Sequence, residues 1–334
     1  MRLLDLIAQA REPFLVEHGE SARTFRLQGA LDLAPQVLFC PVRYVLSDEL
    51  AALCAELAYS SGDRLIRCLD LVRFPAPQLW IEWSDSAALA GASGFFGEAA
   101  AADTEPDRRV GVLVQGTPEG TRALLRAFWS EQDQAIACPM EALLDLRQGH
   151  PPATAGQSMY RDWVRVTETI PAVAQLLDCA RFRLEPSWAG YYEQAVVGKE
   201  QGYRALCDSL TGIARDVPVL IAFLLLLASR EAVAVRPVNW DALNHKRARQ
   251  GRVPLLNHLE ARLALAPAAA PAEPRERAHR SRFAPRRHQV RGHLVRHRNC
   301  IYWRRPHYRG NAFHGRVLSR TVRLSFEHGA GQPA

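Results

Sequence analysis

A chain of 334 residues has room for two modest domains, or for one large domain with an appendage. Its 48% hydrophobic and 23% charged residues are those of an ordinary globular protein, which excludes a wholly disordered or fibrous chain. The net charge of +7 conceals a segregation: residues 275–323 hold fifteen arginines, no lysine and one acid (Glu276), a net +14, whereas the rest carries 27 Lys+Arg against 34 Asp+Glu, a net −7. An acidic body with a strongly basic end is the pattern of an interaction tail. Arginine outnumbers lysine forty to two, so the weight falls on where the arginines sit rather than on their being arginine.

The start, Met1-Arg-Leu-Leu-Asp-Leu-Ile, breaks a short apolar run with an acid and is a poor signal peptide. Tyr44–Ser60 places apolar residues at Leu46, Leu50, Leu53, Leu57 and Ala58, predicting a helix with Ser47 and Asp48 as caps. After Pro75-Ala76-Pro77, the aromatic run Leu79-Trp80-Ile81-Glu82-Trp83 predicts a strand, and Arg109–Gln115 predicts a second, antiparallel to it. Between them, residues 91–107 read as a hairpin loop. Thr117-Pro118-Glu119 has the form of a helix start, predicting a helix to Gln132.

From Ser158 to Ser229 the pattern is mainly helical, with breaks near Pro171, Pro186, Gly190 and Pro218. Its apolar stretch Val217–Ser229 is shorter than the roughly 20 residues that cross a bilayer and reads as a buried core helix, with no membrane partner expected. Trp240–Gly251 predicts a basic helix end closed by Gly251, and Leu255–Leu265 a returning strand. The seven cysteines (Cys40, Cys54, Cys68, Cys138, Cys179, Cys207 and Cys300) contain no CxxC pair, which points to small buried residues in a reducing cytoplasm. Residues 264–273 form an alanine/proline linker.

Beyond the linker, residues 288–296, 299–305 and 319–326 predict three short antiparallel strands. Their apolar face is too small for independent stability, so the module is expected to dock on the body or on a partner. The fold expected is α+β: a mainly helical body (1–265) with a small antiparallel sheet near its N-terminal third, a linker (266–274) and a short, basic β-rich module (275–328).

The run Arg286-Arg287-His288…Arg291-Gly292-His293…Trp303…Pro306-His307-Tyr308-Arg309-Gly310 resembles the end of uncharacterised proteins common in bacteriophages and prophages. In that group an Asn-x-x-Arg-x-x-x-Gly-x-x-Pro-Leu element precedes the tail, and Asn244-His-Lys-Arg-Ala-Arg-Gln-Gly-Arg-Val-Pro-Leu is similar to it. Pro77-Gln-Leu-Trp-Ile-Glu-Trp resembles a further element of the same proteins. The resemblance implies a mobile-element protein of the bacterial cytoplasm and carries no catalytic assignment.

Three functional readings follow from the basic end. Arginines interleaved with aromatic residues join phosphate neutralisation to base stacking, as RNA and single-strand binders do. The residues this assigns to nucleic acid are Arg286, Arg287, His288, Arg291, His293, Arg296, Tyr302, Trp303, Arg304, Arg305, His307, Tyr308 and Arg309. The alternative is a structural or interaction protein whose basic end docks on an acidic partner or on the acidic body. The third is a metal-independent nuclease, in which His288, His293 and His307 with Arg291 and Arg309 supply acid, base and cation. A metal at His293-x3-His297 is disfavoured, since on a strand the pair lies about 13 Å apart, and no cofactor is expected. Glu82, between two tryptophans, reads as an acid on a strand's outer face more readily than as a catalytic group.

Overall fold

The computed structural model describes residues 2–9, 22–96, 108–131, 133–147, 159–166, 173–188, 199–229, 232–264, 286–290, 292–297, 300–304, 307–309 and 311–316. The chain divides into two units, one of Met1–Leu265 with Leu294–Trp303 and the other of Ala266–His293 with Arg304–Ala334. The helices described in the first are α1 (Leu3–Gln9), α2 (Ala22–Leu38), α3 (Asp48–Ser60), α4 (Gly62–Ile66), α5 (Asp85–Gly91), α6 (Ser93–Phe96), α7 (Ala174–Leu177), α8 (Lys199–Ala228) and α9 (Asp241–Arg249). Its strands β1 (Val42–Leu46), β2 (Gln78–Ser84), β3 (Arg109–Gly116), β4 (Arg122–Glu131), β5 (Gln134–Asp145), β6 (Ala180–Leu184), β7 (Val233–Val238) and β8 (His258–Leu263) form one sheet of order β6-β5-β4-β3-β2-β1-β8-β7.

This sheet corrects the expected fold. It is large, not small, and mixed, not antiparallel: β1 runs parallel to both β2 and β8, and the other neighbours are antiparallel. Helices cover both faces. Tyr44, Ile81, Val112 and Ala127 form one cross-strand row, and from that face Tyr44 meets Phe223 of α8 edge-on at 5.6 Å. The opposite face carries the row Arg43, Trp80, Leu113, Arg126, Glu141 and Arg183. There α2 lies against the sheet, with the Gln36 carbonyl accepting from Gln78 Nε2 at 3.1 Å and its side-chain oxygen accepting from Gln115 Nε2 at 3.1 Å.

Three expectations fail in whole or in part, and β5 goes unpredicted. Of the predicted helix over Tyr44–Ser60, Tyr44–Leu46 belong to a strand and Asp48–Ser60 form the helix, with Ser47 as its cap as expected. Ser47 in extended backbone ends the first and caps the second, its hydroxyl accepting from Leu50 N. The predicted helix over 117–132 is a turn and β4. Thr117 N donates to the Arg122 carbonyl, Gly120 N to the Thr117 carbonyl, and Gly120 sits at φ +67°, a conformation open to glycine. Ala123, Leu125 and Ala127 then alternate inward. β5 escapes notice because it is alanine-rich and contains Pro139. That proline falls where the β4–β5 register shifts between Arg126 and Phe128, so the ladder does not need its missing N–H. Finally, α8 runs through Pro218 instead of breaking there. Tyr203–Ala228 within it is long and apolar enough to cross a membrane by length and composition, and its most apolar window is 78% buried inside the fold.

Glu82 also departs from expectation. It is fully buried, and its carboxylate accepts from Leu3 N (2.9 Å), Leu4 N (3.0 Å), Trp80 Nε1 (3.3 Å) and Arg109 Nε. It therefore satisfies the first N–H groups of α1 and pins that helix to the middle of the sheet.

The Leu294–Trp303 segment belongs to the first unit. Strands β10 (His293–His297) and β11 (Cys300–Arg304) pair with each other, and Leu294 and Ile301 are buried in the core with Trp303 packed against it. In the second unit, β12 (His307–Arg309) and β13 (Asn311–Arg316) flank β9 (Arg286–Val290). The predicted strand over 288–296 is thus two strands in separate sheets. The sheet around β9 is mixed, since β13 runs parallel to it, and the predicted strand over 319–326 and the linker lie outside the described residues.

Two stability outcomes follow. Glu82→Gln leaves Arg109 facing an uncharged partner and should lower the unfolding free energy by about 3–5 kcal/mol in urea denaturation. Leu294→Ala should cost about 2–5 kcal/mol, as for a residue of the main core. An unchanged midpoint for Leu294→Ala would detach the hairpin from the body.

Candidate functional site

The residues singled out from the sequence do not share one role. Arg296 and Trp303 are used to hold the hairpin. Arg296 donates to both Asp70 carboxylate oxygens (2.7 and 2.9 Å) and to the Arg67 carbonyl, and Trp303 packs on the core. Because the Arg296–Asp70 pair is solvent-exposed, it adds at most about 1 kcal/mol, and the buried apolar side chains carry the attachment. Tyr302 is 38% exposed, Arg304 at the end of the same strand is exposed, and so is Arg309 on β12. His293, His297 and His307 lie on strands, and the β9–β12 register sets Arg309 opposite His288 and His307 opposite Val290. Arg286, Arg287 and His288 lie on β9 and Tyr308 on β12, whereas Arg291 and Arg305 lie outside the described residues. Among the described residues, no group of three histidine, cysteine, aspartate or glutamate side chains is placed to hold a metal ion.

The two upstream elements that carry the resemblance do structural work. Asn244 brackets the return of the chain after α9: its Nδ2 donates to the Leu255 carbonyl and its Oδ1 accepts from Leu255 N, each at 2.8 Å. Arg247 Nε donates to the Val253 carbonyl at 2.8 Å, and Gly251 takes φ +63° just past the helix, where a β-carbon is disfavoured. In the Pro77–Trp83 element, Glu82 clamps α1 and Gln78 reaches α2.

Sequence reasoning missed a buried polar cluster among α3, α5 and α8. Arg215 donates to both oxygens of Asp85 at 3.1 Å, and Arg108 approaches the same carboxylate at 3.3 Å. The neighbouring Asp216 is buried and accepts from Trp129 Nε1 at 2.9 Å. Tyr59 OH donates to the Arg215 carbonyl at 3.2 Å, and its ring stacks on Phe95. Tyr59, Asp85, Arg215 and Asp216 line a small recess walled by Ala55, Ala88 and Val219. Burial, opposed by Arg215 and reinforced by Asp85, pushes the Asp216 carboxyl up to about 7. The available signal was an Arg-Asp pair placed directly before the longest apolar run of the chain.

Compared with protein-family models, with curated proteins and with solved structures, the chain gives no match.

The Asp216 carboxyl keeps its proton in the fold to about pH 7, whereas an unfolded aspartate releases it near about 3.9. The folded state therefore binds the extra proton between those values, and this group's contribution to stability falls as pH rises from about 4 to about 7. Asp216→Asn should flatten that fall and exceed the parent in stability at neutral pH, measured by denaturation across the range. Parallel curves for the two proteins would refute the assignment.

Proposed function

We propose that this chain is an accessory protein of phage or prophage type that binds nucleic acid, RNA or single-stranded DNA, in the cytoplasm of a bacterial host, through its basic C-terminal segment. The observation that carries the reading is the segregated charge, +14 over residues 275–323 against −7 elsewhere, joined to an exposed aromatic ring on Tyr302. Arg304 and Arg309 are exposed cations for phosphates; Arg286 and Arg287 lie on β9. Tyr302 offers a stacking face that any base satisfies. Leu294, Arg296, Ile301 and Trp303 are assigned a different task, that of holding the hairpin.

One observation favours the second reading, in which the basic end docks on acid. Arg296 already meets Asp70 of the same chain. Among the described residues, that contact leaves Arg304 and Arg309 exposed.

Fluorescence anisotropy with labelled single-stranded RNA and DNA tests the proposal on the full chain. Tyr302→Ala should weaken binding about tenfold, as for the loss of one stacked base. Arg304→Gln with Arg309→Gln should lower the slope of log affinity against log salt by about 1.4, as for two phosphate contacts on a single strand. Wild-type affinity and slope in both variants would overturn the assignment. Removing the whole basic end is a poor comparator, because it also strips Leu294 and Ile301 from the core.

A further inference from the structure

The connection between β7 and β8 is an excursion of residues 239–257, closed at its foot by the Val238–His258 pair. Its helix α9 has no buried residue, so apolar packing does not account for its presence. Polar locks hold it instead. Trp240 N donates to Asn257 Oδ1 (2.7 Å), Asn257 Nδ2 to Asp241 Oδ1 (3.0 Å), and Asn239 Nδ2 to Asp241 Oδ2 (2.9 Å). Asn244 and Arg247 fasten its far side to Leu255 and Val253. Each lock ties a side chain to backbone or to another lock, and together they fix the helix while leaving its outer surface unused by the fold.

That outer surface is basic. Residues 239–257 contain Lys246, Arg247, Arg249 and Arg252 against the single acid Asp241, within a body whose overall balance is acidic. Arg247 is turned to the Val253 carbonyl, whereas Lys246, Arg249 and Arg252 are exposed, with His245 exposed beside them. Lys246 and Arg249, three apart, are neighbours on the helix surface. Bases in a last helical turn also offset the helix dipole. Arg252 lies beyond that turn, however, and the dipole does not require a helix to be held this far out of the core.

We propose that the exposed side of the 239–257 excursion, through Lys246 and Arg249 on α9 and Arg252 just beyond it, is a second contact surface for the phosphate backbone of nucleic acid. The inference rests on the nucleic-acid reading above and extends it to the body. A protein partner fits less well, because groove-binding helices present apolar anchors at i, i+3 and i+4. On α9, Leu243 is the one large apolar side chain.

The test neutralises the surface without breaking the locks: Lys246→Gln, Arg249→Gln and Arg252→Gln together in the full chain. Binding of labelled single-stranded RNA and DNA is measured by anisotropy between about 50 and 200 mM salt, the range over which such contacts titrate. An unchanged melting profile with affinity lowered at least tenfold at the low-salt end, and a salt slope reduced by about 2, supports the surface, as expected for three phosphate contacts. Wild-type affinity and slope in this variant, while Tyr302→Ala and the Arg304/Arg309 variant lose binding, would overturn the α9 surface and leave the C-terminal reading standing. If the parent binds none of the oligonucleotides, both fall. Retention of affinity by the C-terminal variants together with loss in the α9 variant would support the α9 surface and sink the C-terminal one.

Discussion

A carboxylate with no solvent exposure in the middle of a sheet must have its oxygens satisfied by the protein itself, and Glu82 meets that demand by recruiting distant parts of the chain. Two of its donors are the opening N–H groups of α1, one is Arg109 on the neighbouring strand and one is Trp80 two residues away. Gly111, opposite Glu82 in register, makes the arrangement feasible, since a β-carbon there would overlap the Trp80 ring and crowd Leu3. With α1 fixed, Arg2 is fixed too. It pairs with Asp5, donates to His258 at the start of β8 and lies over the Trp240 ring at 5.2 Å. Burial and the Arg2 charge lower the His258 pKa, which keeps the imidazole neutral and able to accept. The chain start thereby ties β2 to β8 and to the foot of the α9 excursion.

Much of this architecture is legible in the sequence only where the pattern is local. Trp80-Ile-Glu-Trp and Arg109–Gln115 are apolar, β-branched or aromatic, and their pairing is visible from the residues alone. The eight-stranded extent is not, because β5 is built on alanines around a proline, and β7 also carries a proline and is exposed along most of its length. Thr117 and Glu119 carry helix-start chemistry, yet their hydrogen bonds close a turn, since the alternation after Arg122 gives burial in a sheet that no 3.6-residue stripe would match.

The same limit governs the polar residues. Glu82 and the Asp216 cluster look unremarkable in sequence because their partners lie far away in the chain, at Leu3 in one case and at Trp129 and Asp85 in the other. The exposed or anchoring status of each C-terminal arginine is equally invisible. Arg296 and Arg304 belong to one basic run, and only the tertiary position of Asp70 separates the one that is engaged from the one that is exposed.

Charge and attachment are therefore handled separately in this protein. Among the described residues, the hairpin is held mainly by Leu294, Ile301 and Trp303 with Arg296 engaged beside them, and α9 by amides, Asp241 and Arg247, so attachment leaves Arg304 in the one place and Lys246, Arg249 and Arg252 in the other exposed. At physiological salt, charges further apart than about 8 Å are largely screened from one another. The acidity of the body as a whole then matters less to an approaching polyanion than the local balance, and residues 239–257 and 275–323 are stretches where bases heavily outnumber acids. For the polyanion proposed above, an acidic remainder would discourage contact elsewhere. On this view the net charge of +7 is a poor descriptor of the molecule, and the physically meaningful quantity is the set of cations that the fold leaves exposed.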